Sequence, residues 1–113
     1  MNYRVTEKAG ITVSEIGLGC EGFADKNEKE VLNMLKCAAE AGVNCMDLYS
    51  PDPRLQSSIG QALKSLDQPF VIQGHLCTVW KNGQYKRTRD LKEVRASFEE
   101  LLEASLSPVE RGL

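Results

Sequence analysis

Four side chains suited to proton chemistry stand at or beside the C-terminal ends of short apolar runs: Glu21, Asp47, Tyr49 and His75. A carboxylate can orient a histidine, a phenol can donate a proton, and a histidine can act as acid or base. General acid–base catalysis is the chemistry such a set would support. The competing reading is structural, with Asp47 an inward carboxylate that only salt-bridges or hydrogen-bonds, and His75 idle without a cofactor beside it. The cysteines at 20, 37, 45 and 77 form no Cys-x-x-Cys, and His75 lies too close to Cys77 for metal-finger spacing. Reduced, buried thiols are expected instead, with no metal.

Those residues have to be positioned by strands. Apolar runs at Ile16–Cys20, Val43–Tyr49 and Phe70–Leu76 alternate with helical patterns, the sign of βαβ units and a parallel sheet. The first helix carries Val31, Leu32, Met34, Leu35, Ala38 and Ala39 at helical spacing, with Asp25 as its expected cap and Gly42 at its end. In the second, Leu55, Ile59, Ala62, Leu63 and Leu66 form the apolar stripe. The two prolines of Ser50-Pro51-Asp52-Pro53 are expected to keep the preceding loop irregular. The third helix starts from Asp90 with Leu91, Val94, Phe98, Leu101 and Leu102 on one face. Two hairpins complete the pattern. One joins Tyr3–Val5 to Ile11–Val13 with Gly10 in its turn; the other sets Asn82-Gly83 between Val79-Trp80 and Tyr85.

Side chains alternate faces along a strand. Ile16, Leu18, Cys20, Met46, Leu48, Phe70 and Ile72 therefore form one apolar face, directed at the helices. Gly17, Gly19, Glu21, Cys45, Asp47, Tyr49, Val71, Gln73 and His75 form the other, and its C-terminal edge gathers the four acid–base residues where α/β proteins build sites. Helices on one face alone leave the other uncovered, so a homo-oligomer is expected.

With 113 residues, the chain has room for one domain, 1–113. Lys+Arg number 14 against Asp+Glu 16, a formal charge of −2, so the basic, aromatic stretch from Trp80 to Arg89 is read as a solvated hairpin and no nucleic-acid partner is expected. The first ten residues mix Arg4, Glu7 and Lys8 with apolar residues. Neither a signal peptide nor a membrane span is expected, and the chain is read as cytoplasmic.

The runs Val13-Ser-Glu-Ile-Gly-Leu-Gly19, Glu40-Ala-Gly-Val-Asn-Cys-Met-Asp47 and Ser58-Ile-Gly-Gln-Ala-Leu63 occur in order, and through Leu102 the chain resembles the N-terminal portion of aldo-keto reductases. The nearest likeness is to a subgroup whose longer members carry a C-terminal ferredoxin-like iron-sulfur domain. The resemblance implies an α/β partial TIM barrel: an N-terminal hairpin plus three parallel βα units of eight. It also implies an oxidoreductase that reduces small carbonyl compounds with NADPH. Of the family's tetrad of Asp, Tyr, Lys and His, the Asp falls on Asp47. The Tyr position holds Asp52, with Tyr49 nearby but out of register. The Lys position holds His75, and the fourth-strand His has no counterpart among these residues. Asp47, Tyr49 and His75 are thus the candidate catalytic residues. Ser105 to Leu113 departs from the family, as a truncated gene, a shifted reading frame or a shortened chain would. Without the strands that usually hold the cofactor phosphate, no cofactor is expected to bind this chain alone and the fragment is expected to be inactive. A non-catalytic protein acting through self-association or docking is the alternative. Gly17-Leu-Gly19 with Gly22 imitates a dinucleotide fingerprint, but inward glycines making room near the barrel axis explain it more simply.

Overall fold

A computed structural model describes residues 1–105, so all of the Ser105–Leu113 departure beyond its first residue lies outside the described residues. The chain starts with an antiparallel hairpin of β1 (Tyr3–Thr6) and β2 (Ile11–Ser14), turned at Gly10, whose φ of +65° is a conformation that suits glycine. A parallel sheet follows in the order β3 (Leu18–Gly19), β4 (Cys45–Leu48), β5 (Val71–Gly74). Helix α1 (Glu28–Glu40) connects β3 to β4, and α2 (Pro53–Lys64) connects β4 to β5. The second hairpin, β6 (Thr78–Lys81) with β7 (Gln84–Arg87), stands between β5 and α3 (Leu91–Ser105).

The register sorts the residues as their alternation requires. Met46 and Leu48 are buried against the helices, together with Cys20, Phe70, Val31, Leu35, Leu55, Ile59 and Leu63. Leu18 and Ile72 pack at the margin of this core. Gly74 continues the same face toward α3, where Leu101 joins the core. These contacts bury the apolar stripes of α1 and α2 and the Leu101 end of α3, which is the main source of their stability.

Several local expectations need correction. The cap of α1 is Asn27 rather than Asp25: its Oδ1 accepts from the Glu30 amide at 2.8 Å, and the Glu30 carboxylate accepts from the Asn27 amide. This reciprocal pair satisfies two helix-end donors, which a cap at Asp25 would not. Pro53 does not interrupt regular structure but begins α2, because its fixed φ and missing N–H suit a first helical position. Ile16 lies ahead of β3 and is 62% exposed. Leu91 and Phe98 are also exposed, since the part of α3 near the hairpin faces β6 through other residues. The thiols are all free, but Cys20 is the one fully buried; Cys45 is half-buried, and Cys37 and Cys77 are exposed.

The hairpin β1–β2 is fastened to the sheet by a residue that carries no apolar signal. Asn44 accepts from the Ser14 amide at 2.7 Å and donates through Nδ2 to the Thr12 carbonyl at 2.9 Å. Its own amide donates to the Ser14 hydroxyl at 3.2 Å. Tyr3 adds a bond from its hydroxyl to the Gly42 carbonyl at 2.8 Å.

Candidate functional site

The sheet face turned away from the helices is open. Val13, Gly17, Gly19, Cys45, Asp47, Val71 and Gln73 border a groove of about 450 Å³, with the backbones of Leu18 and Met46 between them. Gly17 earns its place by closeness: a Cβ built there would lie 3.3 Å from the Cys45 sulfur, tighter than most such contacts. Cys45 itself lies 3.6 Å from the Ser14 hydroxyl and 3.7 and 3.9 Å from the Ser14 and Ile16 carbonyls.

At the C-terminal edge of this face, two of the candidate residues meet. Asp47 is opposite Gln73 in the β4–β5 register, and His75 lies two residues further along the same chain. His75 lies one residue past the end of β5, and its bond to Asp47 is what holds it on the face of Gln73 and Asp47. The His75 Nε2–H donates to Asp47 Oδ1 at 2.6 Å, with the side chains 39% and 49% exposed. This arrangement leaves Nδ1 of a neutral ring with its lone pair available, oriented by a carboxylate, so the ring can take a proton from or return one to a bound molecule.

The other two candidates do not join them. Glu21 does not sit at a strand end, because β3 stops at Gly19 and Glu21 opens a short 3₁₀ turn, Glu21–Phe23, whose Phe23 is drawn into the core. Strand alternation therefore does not govern its direction. Tyr49 follows β4 and is half-buried, and its hydroxyl bonds to neither Asp47 nor His75. Asp52 is committed elsewhere, as the cap of α2 with Oδ1 accepting from the Arg54 amide at 2.9 Å. The loop between Tyr49 and Asp52 is held by Gln56, whose Nε2 donates to the Ser50 carbonyl at 3.1 Å, and by the Ser50 hydroxyl, which accepts from the Asp52 amide. Gln73, beside Asp47 on the groove, was not singled out from sequence, although the same alternation that selects Asp47 and His75 selects it.

Cys20 lies on the opposite side of the sheet from the groove, its Sγ 3.7 Å from the Met46 sulfur. Burial, with a smaller contribution from the Asp47 charge, pushes its thiol up to about 12, so it stays protonated and inert. Among the described residues no group of three or more His, Cys, Asp or Glu is arranged to hold a metal ion.

Two solved structures of a Pseudomonas aeruginosa protein assigned to the aldo-keto reductases superpose on 90% of this chain with a TM-score of 0.77 and 24% sequence identity. The fold is that of a partial aldo-keto reductase barrel. A glycerol dehydrogenase from Gluconobacter oxydans matches 83% of the chain with a TM-score of 0.70 and 18% identity. The chain spans 41% of the Pseudomonas protein and 32% of the Gluconobacter enzyme. No family profile and no curated protein matches its sequence. In barrel terms, β3, β4 and β5 are three staves of an unclosed sheet, and the Asp47–His75 pair sits at the end where barrel enzymes carry their sites.

A nicotinamide dinucleotide requires a cradle for its pyrophosphate, normally backbone amides at an open helix N-terminus. The N-termini of α1, α2 and α3 are closed by Asn27 with Glu30, by Asp52 and by Asp90. The described residues therefore do not fit the dinucleotide on their own. What they can carry is proton transfer. No helix among them is long and apolar enough to cross a membrane.

Proposed function

We propose that this chain is the proton-handling part of a carbonyl reductase of the aldo-keto reductase type. In this reading it acts on a small carbonyl compound in the cytosol, where its free thiols would stay reduced. The reading is carried by one observation, the 2.6 Å bond between Asp47 and His75 at the C-terminal edge of a parallel sheet with this barrel fold. Asp47 orients the ring, and His75 Nδ1 faces the carbonyl oxygen, accepting a hydrogen from it in the alcohol or, once protonated, donating one to it in the aldehyde. Tyr49 is the second donor in this proposal. NADPH is the hydride source that the resemblance implies, held by residues outside this set. The 113 residues by themselves are accordingly proposed to be inactive.

Following nicotinamide absorbance in a mixture of the purified chain, NADPH and a reactive aldehyde tests the last point. No consumption above the protein-free rate is expected. Turnover that vanishes in Asp47→Asn would overturn the proposed inactivity. The carbonyl reading has its own check: the aldehyde should move the ring resonances of His75, and resonances that stay unmoved as aldehyde is raised would contradict it.

The open groove favours a second reading, in which this face docks against another copy of the chain. Val71 and Cys45 remain only half-buried there, whereas parallel sheets are normally covered on both sides. Sedimentation should then detect a dimer or larger assembly, and a species of 12.5 kDa at high concentration would contradict it.

A further inference from the structure

The proposed reduction makes no use of the hairpin that rises from the end of β5. In it Trp80 is opposite Tyr85 and Thr78 is opposite Arg87. Opposed residues share a face, and so do residues two apart, so Trp80, Tyr85, Thr78 and Arg87 lie together on one side. The other side is committed to α3. Val79 is 7% exposed there, and Lys81 forms an ion pair with Glu93. From α3, the Ser97 hydroxyl also donates to the Thr78 carbonyl at 3.1 Å.

The bare side is aromatic and cationic. Trp80 remains 37% exposed and Tyr85 46% exposed. They form the pair next to the turn-closing pair Lys81–Gln84, where antiparallel geometry brings side chains closest. Arg87, the cation on this side, has no carboxylate partner among the described residues; Lys86 is opposite Val79 on the other side, and Arg89 lies beyond β7. In a chain of formal charge −2, this segment is locally basic, and its charge calls for an anion.

The two strands are fastened at both ends. Asn82 and Gly83 adopt φ of 53° and 72°, as a tight two-residue turn requires. At the open end the Thr88 amide donates to the Cys77 carbonyl at 3.0 Å. Little ordering is left to be done when a ligand arrives.

We infer that the Trp80–Tyr85 face, with Arg87 at its end, binds a small planar anion: an aromatic ring bearing a phosphate or carboxylate. The ring packs on the two aromatic side chains, and the guanidinium takes the anionic group through paired N–H donors. A nucleic-acid strand fits less well, because it needs successive stacking platforms along a basic track, and here one aromatic pair stands on an acidic protein.

Trp80 is the single tryptophan of the chain, so its emission reports on this surface alone. Titration with phenyl phosphate should give a saturable change in Trp80 fluorescence, whereas inorganic phosphate or benzyl alcohol separately should give none. Arg87→Gln should weaken phenyl phosphate about tenfold, with Arg87→Lys between it and the unaltered chain. Tyr85→Leu, which removes the ring but keeps bulk, should weaken it as well. Far-UV circular dichroism and the ligand-free emission maximum confirm that each variant is folded. The inference is overturned if phenyl phosphate gives no saturable change, if folded Arg87→Gln and Tyr85→Leu bind as the unaltered chain does, or if a ten-nucleotide oligothymidylate binds more tightly. None of these outcomes depends on carbonyl reduction.

Discussion

A Cβ built on Gly74 would lie 2.6 Å from Cδ2 of Leu101, so alanine fits there only if that terminal methyl moves aside. His75 is the next residue, which ties the position of the acid–base pair to this contact. Gly74→Ala is expected to displace Leu101 from the core at a cost of about 1–3 kcal/mol in urea unfolding. Leu101→Ala in the same chain should relieve the crowding, so the two costs should not add. Additive costs would show that the contact is not what constrains Gly74.

Asn44 joins the N-terminal hairpin to the sheet through its Oδ1, Nδ2 and backbone N–H. Asn44→Ala leaves the Ser14 amide and Thr12 carbonyl without their partner, and a loss of about 1–3 kcal/mol is expected. Amide exchange should quicken in Tyr3–Thr6 and Ile11–Ser14 ahead of the parallel sheet. Uniform acceleration across the chain would contradict the local role assigned to Asn44.

Asp52 stands where the resemblance puts a catalytic tyrosine, yet its carboxylate caps α2. Asp52→Tyr should therefore remove the cap, lowering stability by about 1 kcal/mol as Asp52→Ala does, and confer no carbonyl reduction on the isolated chain. Thermal unfolding and the nicotinamide assay check both halves. A gain of turnover would show that the tyrosine alone was lacking.

Thiol reactivity should follow burial: Cys37 and Cys77 react first, Cys45 more slowly, and Cys20 after unfolding. The Cys20 thiol, ordinarily near 9.0, is pushed up to about 12 by burial and then by Asp47. Between those values the folded chain keeps a proton that the unfolded chain releases. Its contribution to stability is thus whole below pH about 9 and is lost as pH rises toward 12, at up to about 1.4 kcal/mol per pH unit. Cys20→Ala should flatten that part of the stability curve, measured by urea unfolding at stepped pH. An unchanged slope would contradict the assignment.

The parts of the fold legible in the sequence were those written in periodicity and turn chemistry. Met46, Leu48, Phe70 and Ile72 revealed which sheet face meets the helices, and Asn82-Gly83 announced the second hairpin. The meeting of Asp47 with His75 is what the same period of two gives when carried one residue past β5, and there the bond to Asp47 holds the ring in place. Asn44 escaped because polar clasps leave no pattern, and Asn27 because competing cap residues, Asp25 and Asn27, stand two positions apart and only the capping box decides between them. Glu21 and Tyr49 were assigned by extending alternation past the points where β3 and β4 end. Strand ends depend on neighbouring strands and loops, which composition does not specify.

His75 is the only histidine in the chain, so its ring gives one pair of nitrogen resonances, free of overlap. Proton–nitrogen correlation spectra of the neutral ring test the acid–base pair most directly. The account predicts a proton on Nε2, shifted downfield as a carboxylate acceptor requires, with Nδ1 bare, and loss of that downfield shift in Asp47→Leu. A ring protonated on Nδ1, or an Nε2 proton whose shift is the same in Asp47→Leu, would contradict it.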